Sequence, residues 1–178
     1  MLDPEIREAL FYYLDCNYGK HRTFEETPIN SSRSDIFAVT ENGLVGFEIK
    51  SDADSYTRLK TQVKNYDIFY DFNYLVIGGR HIRGAEKHIP DYWGIICVSE
   101  GGIEVLKPHA ANPKVKLKKQ LELLWKSELS HIQARLKLPK YAQKSKAFVR
   151  TKLMEKVPEE ILKTELCEEL FERDYTLK

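Results

Sequence analysis

Two β-rich runs, Asp35-Ile36-Phe37-Ala38-Val39-Thr40 and Leu44-Val45-Gly46-Phe47-Glu48-Ile49-Lys50, flank Glu41-Asn42-Gly43 and constrain the fold more than any other feature. Branched and aromatic side chains suit a pleated strand, and Asn-Gly tolerates the positive φ that a tight reversal needs. The runs therefore predict an antiparallel hairpin. The start of one strand then lies beside the end of the other, which brings Asp35 next to Glu48 and Lys50. Glu48 and Lys50 are two residues apart and share a face, while Phe47 and Ile49 point the other way into apolar packing.

The flanking segments supply the rest of the fold. Asp3, as an N-cap oxygen, and Pro4, at the first helical position, predict a helix that ends before Asn17 and carries Ile6, Leu10 and Leu14 at helical spacing. Residues 23–30 read as extended and lead into a polar loop, Asn30-Ser31-Ser32-Arg33-Ser34. Asp52, Asp54 and Ser55 offer cap oxygens to a second amphipathic helix through Tyr56, Leu59, Val63, Tyr66 and Tyr70. A buried strand over residues 72–77, a short helix over 83–88 and a hairpin of strands 93–99 and 103–106 follow. The order predicts an α/β fold with a central mixed sheet flanked by helices. Beyond Pro108 and Pro113 the pattern turns helical, with one long helix expected over residues 116–138 and two more around 142–156 and 159–173. The expected division is a core over residues 1–112 and a basic helical extension over 113–178.

Charge supports that division. Residues 1–112 carry 12 Lys/Arg against 17 Asp/Glu, residues 113–157 carry 13 against 3, and residues 158–178 carry 3 against 7. An acidic body followed by a basic segment fits a metal-binding enzyme that holds nucleic acid, although a solvated basic helix explains the charge equally well. Cys16, Cys97 and Cys167 form no CxxC pair, which excludes a disulfide framework or a zinc site of ordinary spacing. Neither a signal-peptide pattern nor an apolar run of bilayer length occurs, so the expectation is a cytoplasmic protein without a membrane partner.

Two carboxylates and a lysine at one end of a sheet match the needs of phosphodiester hydrolysis. Hard oxygen ligands suit Mg²⁺, with Mn²⁺ as a substitute, and a bound ion lowers the pKa of a water and neutralises charge on phosphate. A neighbouring lysine can orient the attacking water and stabilise the transition-state charge. A Glu-x-Lys pair alone is common on half-exposed strands. Here an aspartate opens the previous strand, directly after a polar loop, which makes the set more specific.

These residues resemble a known signature. The run Arg33-Ser34-Asp35 … Phe47-Glu48-Ile49-Lys50 looks like that of the PD-(D/E)XK nuclease superfamily, with serine in place of the proline that names it. Gly46-Phe47-Glu48-Ile49-Lys50-Ser51-Asp52-Ala53-Asp54, Arg58-Leu59, Gln62, Tyr66 and Asp91-Tyr92-Trp93-Gly94-Ile95 are similar to a largely uncharacterised family of small bacterial and phage proteins placed in that superfamily. The resemblance implies a restriction-endonuclease-like core of α-β-β-β-α-β order and a metal-dependent nuclease, with Asp35 and Glu48 as ligands and Lys50 as the catalytic lysine. Gln62 and Tyr66 fit a Q-x-x-x-Y pattern of exonuclease-like members, which implies Gln62 near the metal and Tyr66 in packing or substrate binding. Glu5 is the implied third metal ligand from the first helix. Glu8, Glu25 and Glu26 stay open as alternatives, as does a plain solvated face.

The expected partner is nucleic acid, foremost DNA. Arg33 and the lysines Lys116, Lys118 and Lys119 are the candidate phosphate contacts, with surface solvation as the alternative account of each. A catalytically silent binding protein on the same fold is the alternative function. Leu117, Leu121, Leu124 and Leu136 could equally serve a homodimer.

Overall fold

The computed structural model describes residues 1–177. Two compact units divide the chain, Met1–Val115 and Lys116–Lys178. In the first, helix α1 (Asp3–Asn17) precedes strands β1 (His21–Ile29), β2 (Ser32–Thr40) and β3 (Gly43–Lys50), helix α2 (Leu59–Phe69), and strands β4 (Phe72–Gly78), β5 (Gly94–Ser99) and β6 (Gly102–Lys107). The six strands lie in chain order in one sheet. β1, β2 and β3 pair antiparallel, β3, β4 and β5 pair parallel, and β6 returns antiparallel to β5. The α2 crossover between β3 and β4 is what a parallel pair requires.

One face of the sheet carries Ile36, Ala38, Phe47, Ile49, Tyr74, Val76, Ile96 and Val98, packed with Ile6, Leu10 and Leu14 of α1. Each of those three α1 side chains is fully buried and contributes about 1.5–3 kcal/mol by leaving water. The second face meets α2. Gly46 admits that helix closely: a Cβ there would stand 2.4 Å from the Tyr70 ring and 2.7 Å from the Tyr66 ring. Every residue of β3 is buried, because the strand is central and covered on both sides.

The predicted hairpin forms with Thr40 opposite Gly43, and Gly43 takes the positive φ (+121°) while Asn42 does not. The polar loop is tighter than expected. Asn30 (φ +51°) and Ser31 turn the chain, and β2 already begins at Ser32. Helix α1 is capped at Leu2 rather than Asp3, since the Glu5 carboxylate accepts the Leu2 N–H at 2.7 Å. Asp52 and Asp54 do not cap α2, whose first residue is Leu59. Asp54 instead accepts from the Ser51 N–H and hydroxyl, and Asp52 from the Arg80 N–H.

The second unit holds α3 (Leu117–Gln120), α4 (Lys126–Arg135), α5 (Lys146–Lys156) and α6 (Glu159–Phe171). The long helix expected over 116–138 is broken. Leu121, Leu123 and Leu124 are all buried where the chain changes direction. A 3₁₀ turn at Leu121–Leu123 and extended backbone at Leu124 and Trp125 redirect the chain, and the Glu128 carboxylate accepts the Trp125 N–H at 2.6 Å to start α4. Among the described residues no helix is long and apolar enough to cross a membrane.

Candidate active site

Asp35 sits one residue before the first β2–β3 pair, Ile36 opposite Phe47. Its Oδ2 accepts the Ile49 N–H at 2.7 Å, which pins the carboxylate to β3 between Glu48 and Lys50. Lys50 Nζ donates to Glu48 Oε1 at 2.5 Å, with the two side chains 6% and 0% exposed. The hairpin thus brings Asp35 beside Glu48 and Lys50, the two residues that the strand period put on one side.

The Glu48 carboxylate is unusual in being only half satisfied. Its Oε2 is buried and has no hydrogen-bond partner. Burial, joined by the like charge of Asp35, pushes Glu48 up to about 7, against the pull of the Lys50 ammonium, its hydrogen bond and the neighbouring Tyr66 hydroxyl. Asp35 is also raised, by burial first, while the Ile49 N–H and the charges of Lys50 and Arg7 oppose the shift.

Helix α2 supports this cluster from behind. The Tyr66 hydroxyl accepts the Asp35 N–H at 2.9 Å and donates to the Phe47 carbonyl at 3.1 Å. Tyr66 is fully buried, so the substrate contact considered for it gives way to a positioning role. Ser34, the departure from the proline signature, is buried too. It accepts from the Tyr70 hydroxyl at 2.8 Å and donates to the Thr27 carbonyl, tying β2 to α2 and β1. Gln62 lies one helical turn before Tyr66 and has a buried Oε1 without a partner.

Beside Asp35 and Gln62 opens a cavity of about 750 Å³, bordered by Arg33 and Ser32 from β2 and by Thr57, Arg58 and Thr61 near the start of α2. Arg33 Nη1 lies 3.5 Å from Glu26 Oε2.

Other candidates lie elsewhere. Glu5 is exposed and committed to the Leu2 N–H, Glu8 is exposed, and neither borders the cavity. In the helical unit Lys116 and Lys118 are exposed, and Lys119 pairs with Glu122 at 3.1 Å. Among the described residues, no group of three or more His, Cys, Asp or Glu side chains is arranged to hold a metal ion.

Sequence reasoning missed Arg7. Its guanidinium reaches Asp3 (2.6 Å), Glu26 (2.7 Å), Glu25 (3.3 Å) and the Asp35 carbonyl (3.2 Å), and lies 3.9 Å from Asp35 Oδ1. It gathers Glu25 and Glu26, two of the acids that remained open as metal ligands. The i,i+4 spacing of Asp3 and Arg7 was the available signal, but it foretold only the local pair.

The mixed sheet, its flanking helices and the helical extension define an α/β protein of restriction-endonuclease-like architecture. Residues 2–176 match the family described as Bacteriophage P4 protein cII, and the chain belongs to that family. No curated protein matches it. Among solved structures it is similar in fold to the SPO1766 protein of unknown function from Silicibacter pomeroyi, at 15% identity and a TM-score of 0.51 over 74% of this chain and 86% of that one. A looser likeness, at 14% identity and a TM-score of 0.33, is to Pyrococcus furiosus SfsA in complex with Ca²⁺, over 62% of this chain and 60% of that one.

Proposed function

We propose that this protein is a metal-dependent nuclease of the PD-(D/E)XK kind, hydrolysing phosphodiester bonds, with DNA as its first candidate substrate. The observation that carries this reading is the fully buried Glu48 carboxylate, bonded to Lys50 through one oxygen and unpartnered at the other. Leaving a buried acceptor unsatisfied costs about 1–3 kcal/mol, and more when it is charged. That cost suits an atom whose partner arrives with a cation.

The residues fit a hard divalent ion. Mg²⁺ is commonly held by one or two carboxylates and completes its shell with water and substrate phosphate, so Asp35 and Glu48 suffice as protein ligands. Bound there, Mg²⁺ or Mn²⁺ would supply a water of lowered pKa and charge neutralisation at the phosphate. The side chains do the rest. Lys50 orients the nucleophilic water and balances charge in the transition state. The Ile49 N–H and the Tyr66 hydroxyl hold Asp35 in place. The unpartnered Gln62 oxygen is a further acceptor for that water, and Arg33 and Arg58 offer the cavity wall two guanidinium groups for the backbone phosphates.

A second reading is a catalytically silent nucleic-acid- or partner-binding protein on the same fold. What favours it is that the described residues contain no group of three or more metal-ligating side chains and that Lys50 already occupies one oxygen of Glu48. One experiment separates the two. Circular, linear, single-stranded and branched DNA are incubated with Mg²⁺ or Mn²⁺ and the wild type or Lys50→Ala, alongside Mn²⁺ titrations of the wild type and Glu48→Gln. The enzyme reading expects cleavage that Lys50→Ala loses and Mn²⁺ binding that Glu48→Gln loses. Absence of both in the wild type selects the silent protein.

A further inference from the structure

The second unit concentrates its charge in one stretch. Residues 137–156 contain seven Lys or Arg and a single acid, Glu155. Within that stretch two aromatic rings are only partly covered. Tyr141 and Phe148 pack edge to face, with centroids 5.3 Å apart at 80°. Lys144 Nζ and Lys152 Nζ stand 5.5 and 5.7 Å from the Phe148 ring centre.

Local structure explains the grouping. Ser145 caps α5 by accepting the Phe148 N–H at 3.2 Å, which turns the chain so that Lys144 returns over the Phe148 ring. Lys152 follows Phe148 by one helical turn on the same side. Val149 and Leu153 take the inward side of α5 and are almost fully buried. Lys126 Nζ donates to the Ala142 carbonyl at 3.0 Å and steadies the loop that carries Tyr141. Lys137 and Lys140 are exposed beside it.

We infer that the Tyr141–Phe148 patch, with Lys140, Lys144 and Lys152 around it, is a binding site for single-stranded nucleic acid. Two partly exposed rings offer stacking surface for unpaired bases, and the surrounding ammonium groups take the phosphates that flank them. Charge complementarity selects a polyanion. A membrane surface would require a broad exposed apolar face, yet α5 directs Val149 and Leu153 inward and Met154 is its one large hydrophobic among the exposed ones. A duplex hides its base faces and would engage the lysines alone, leaving the rings without a role. Lys152 also pairs with Glu155 at 2.5 Å, a contact that a phosphate would exchange for itself. This site does not depend on whether Asp35 and Glu48 catalyse hydrolysis.

The test uses the full chain in EDTA, so that cleavage cannot enter, and follows fluorescence anisotropy of labelled oligo-dT and of a duplex of equal length. The wild type is expected to prefer the single strand. Phe148→Leu, which keeps the apolar volume, weakens oligo-dT binding roughly 5- to 100-fold, the range of one lost base stack, while Phe148→Tyr restores it. Replacing Lys140, Lys144 and Lys152 together by glutamine lowers the log–log salt slope for oligo-dT by about 2. Wild-type oligo-dT affinity in Phe148→Leu, equal binding of duplex and single strand, or competition by phosphatidylserine vesicles as effective as that by oligo-dT would each overturn the assignment.

Discussion

Among the described residues each unit of the molecule holds a carboxylate–cation pair with both side chains buried, and the two pairs are built differently. In the helical unit, Arg173 Nε and Nη2 donate to the two oxygens of Glu128 at 2.7 and 2.8 Å. The same Nη2 reaches the Leu123 carbonyl, the Trp125 N–H completes Glu128, and the guanidinium lies 4.3 Å from the Trp125 ring centre. Both Glu128 oxygens are satisfied. In the sheet unit, Lys50 meets one oxygen of Glu48 and leaves the other bare. The first arrangement clamps the break between α3 and α4. The second keeps a costly acceptor open.

The contrast can be broken by substitution. Arg173→Met removes one partner of a closed buried pair and should lower unfolding free energy by about 3–5 kcal/mol in urea titrations. Lys50→Ala should cost on the order of 10²–10³ in the rate of DNA cleavage at saturating Mn²⁺. A variant that cuts normally would remove Lys50 from the chemistry.

Glu48→Gln sharpens the comparison by its sign. Because the fold raises Glu48 from 4.5 to about 7, its contribution to stability is fully present below pH 4.5 and is lost as pH rises through 7. Glu48→Gln should therefore remove the loss of stability that the metal-free wild type shows between pH 4.5 and pH 8, while leaving Lys50 without its charged partner. Saturating Mn²⁺ should stabilise the wild type, by about 2.7 kcal/mol at a hundredfold excess over Kd, and leave Glu48→Gln unmoved. Thermal melts at two pH values check both claims.

Smaller effects map the support around the open pair. Gly46→Ala places a Cβ against Tyr70 and Tyr66 and should cost about 1–3 kcal/mol, with loss of Mn²⁺ affinity as Tyr66 shifts from Asp35. At the other end of the sheet, His109 packs 4.5 Å from Phe72 and 5.0 Å from Tyr74, and burial lowers it below its ordinary 6.5. The neutral ring is favoured in the fold, so its contribution is present above pH 6.5 and fades as pH falls through the lowered value. His109→Gln should flatten that part of the melting profile, the slightest change of all.

How much of this was legible beforehand follows the range of the interactions. Asp35, Glu48 and Lys50 could be brought together from a turn and a two-residue period, both of which act within a few residues. The break at Leu124 and Trp125 could not, because the apolar spacing there also fits one continuous helix, and only the folded backbone shows both residues extended. Arg7 escaped for the same reason: its acid partners Glu25, Glu26 and Asp35 lie on other elements. A count of lysines drew attention to residues 116–119, while the rings that give the basic patch its character lie at Tyr141 and Phe148.

By itself the sequence determined the order of elements in the sheet unit, the alternation of charge along the chain and the face shared by Glu48 and Lys50, since propensity, turn chemistry and strand period are local. The tertiary structure decided that Glu48 is buried on every side, that Tyr66 stands behind Asp35, and that one carboxylate is closed while the other stays open. Desolvation and hydrogen-bond satisfaction depend on every element packed around an atom, and no stretch of sequence contains all of them.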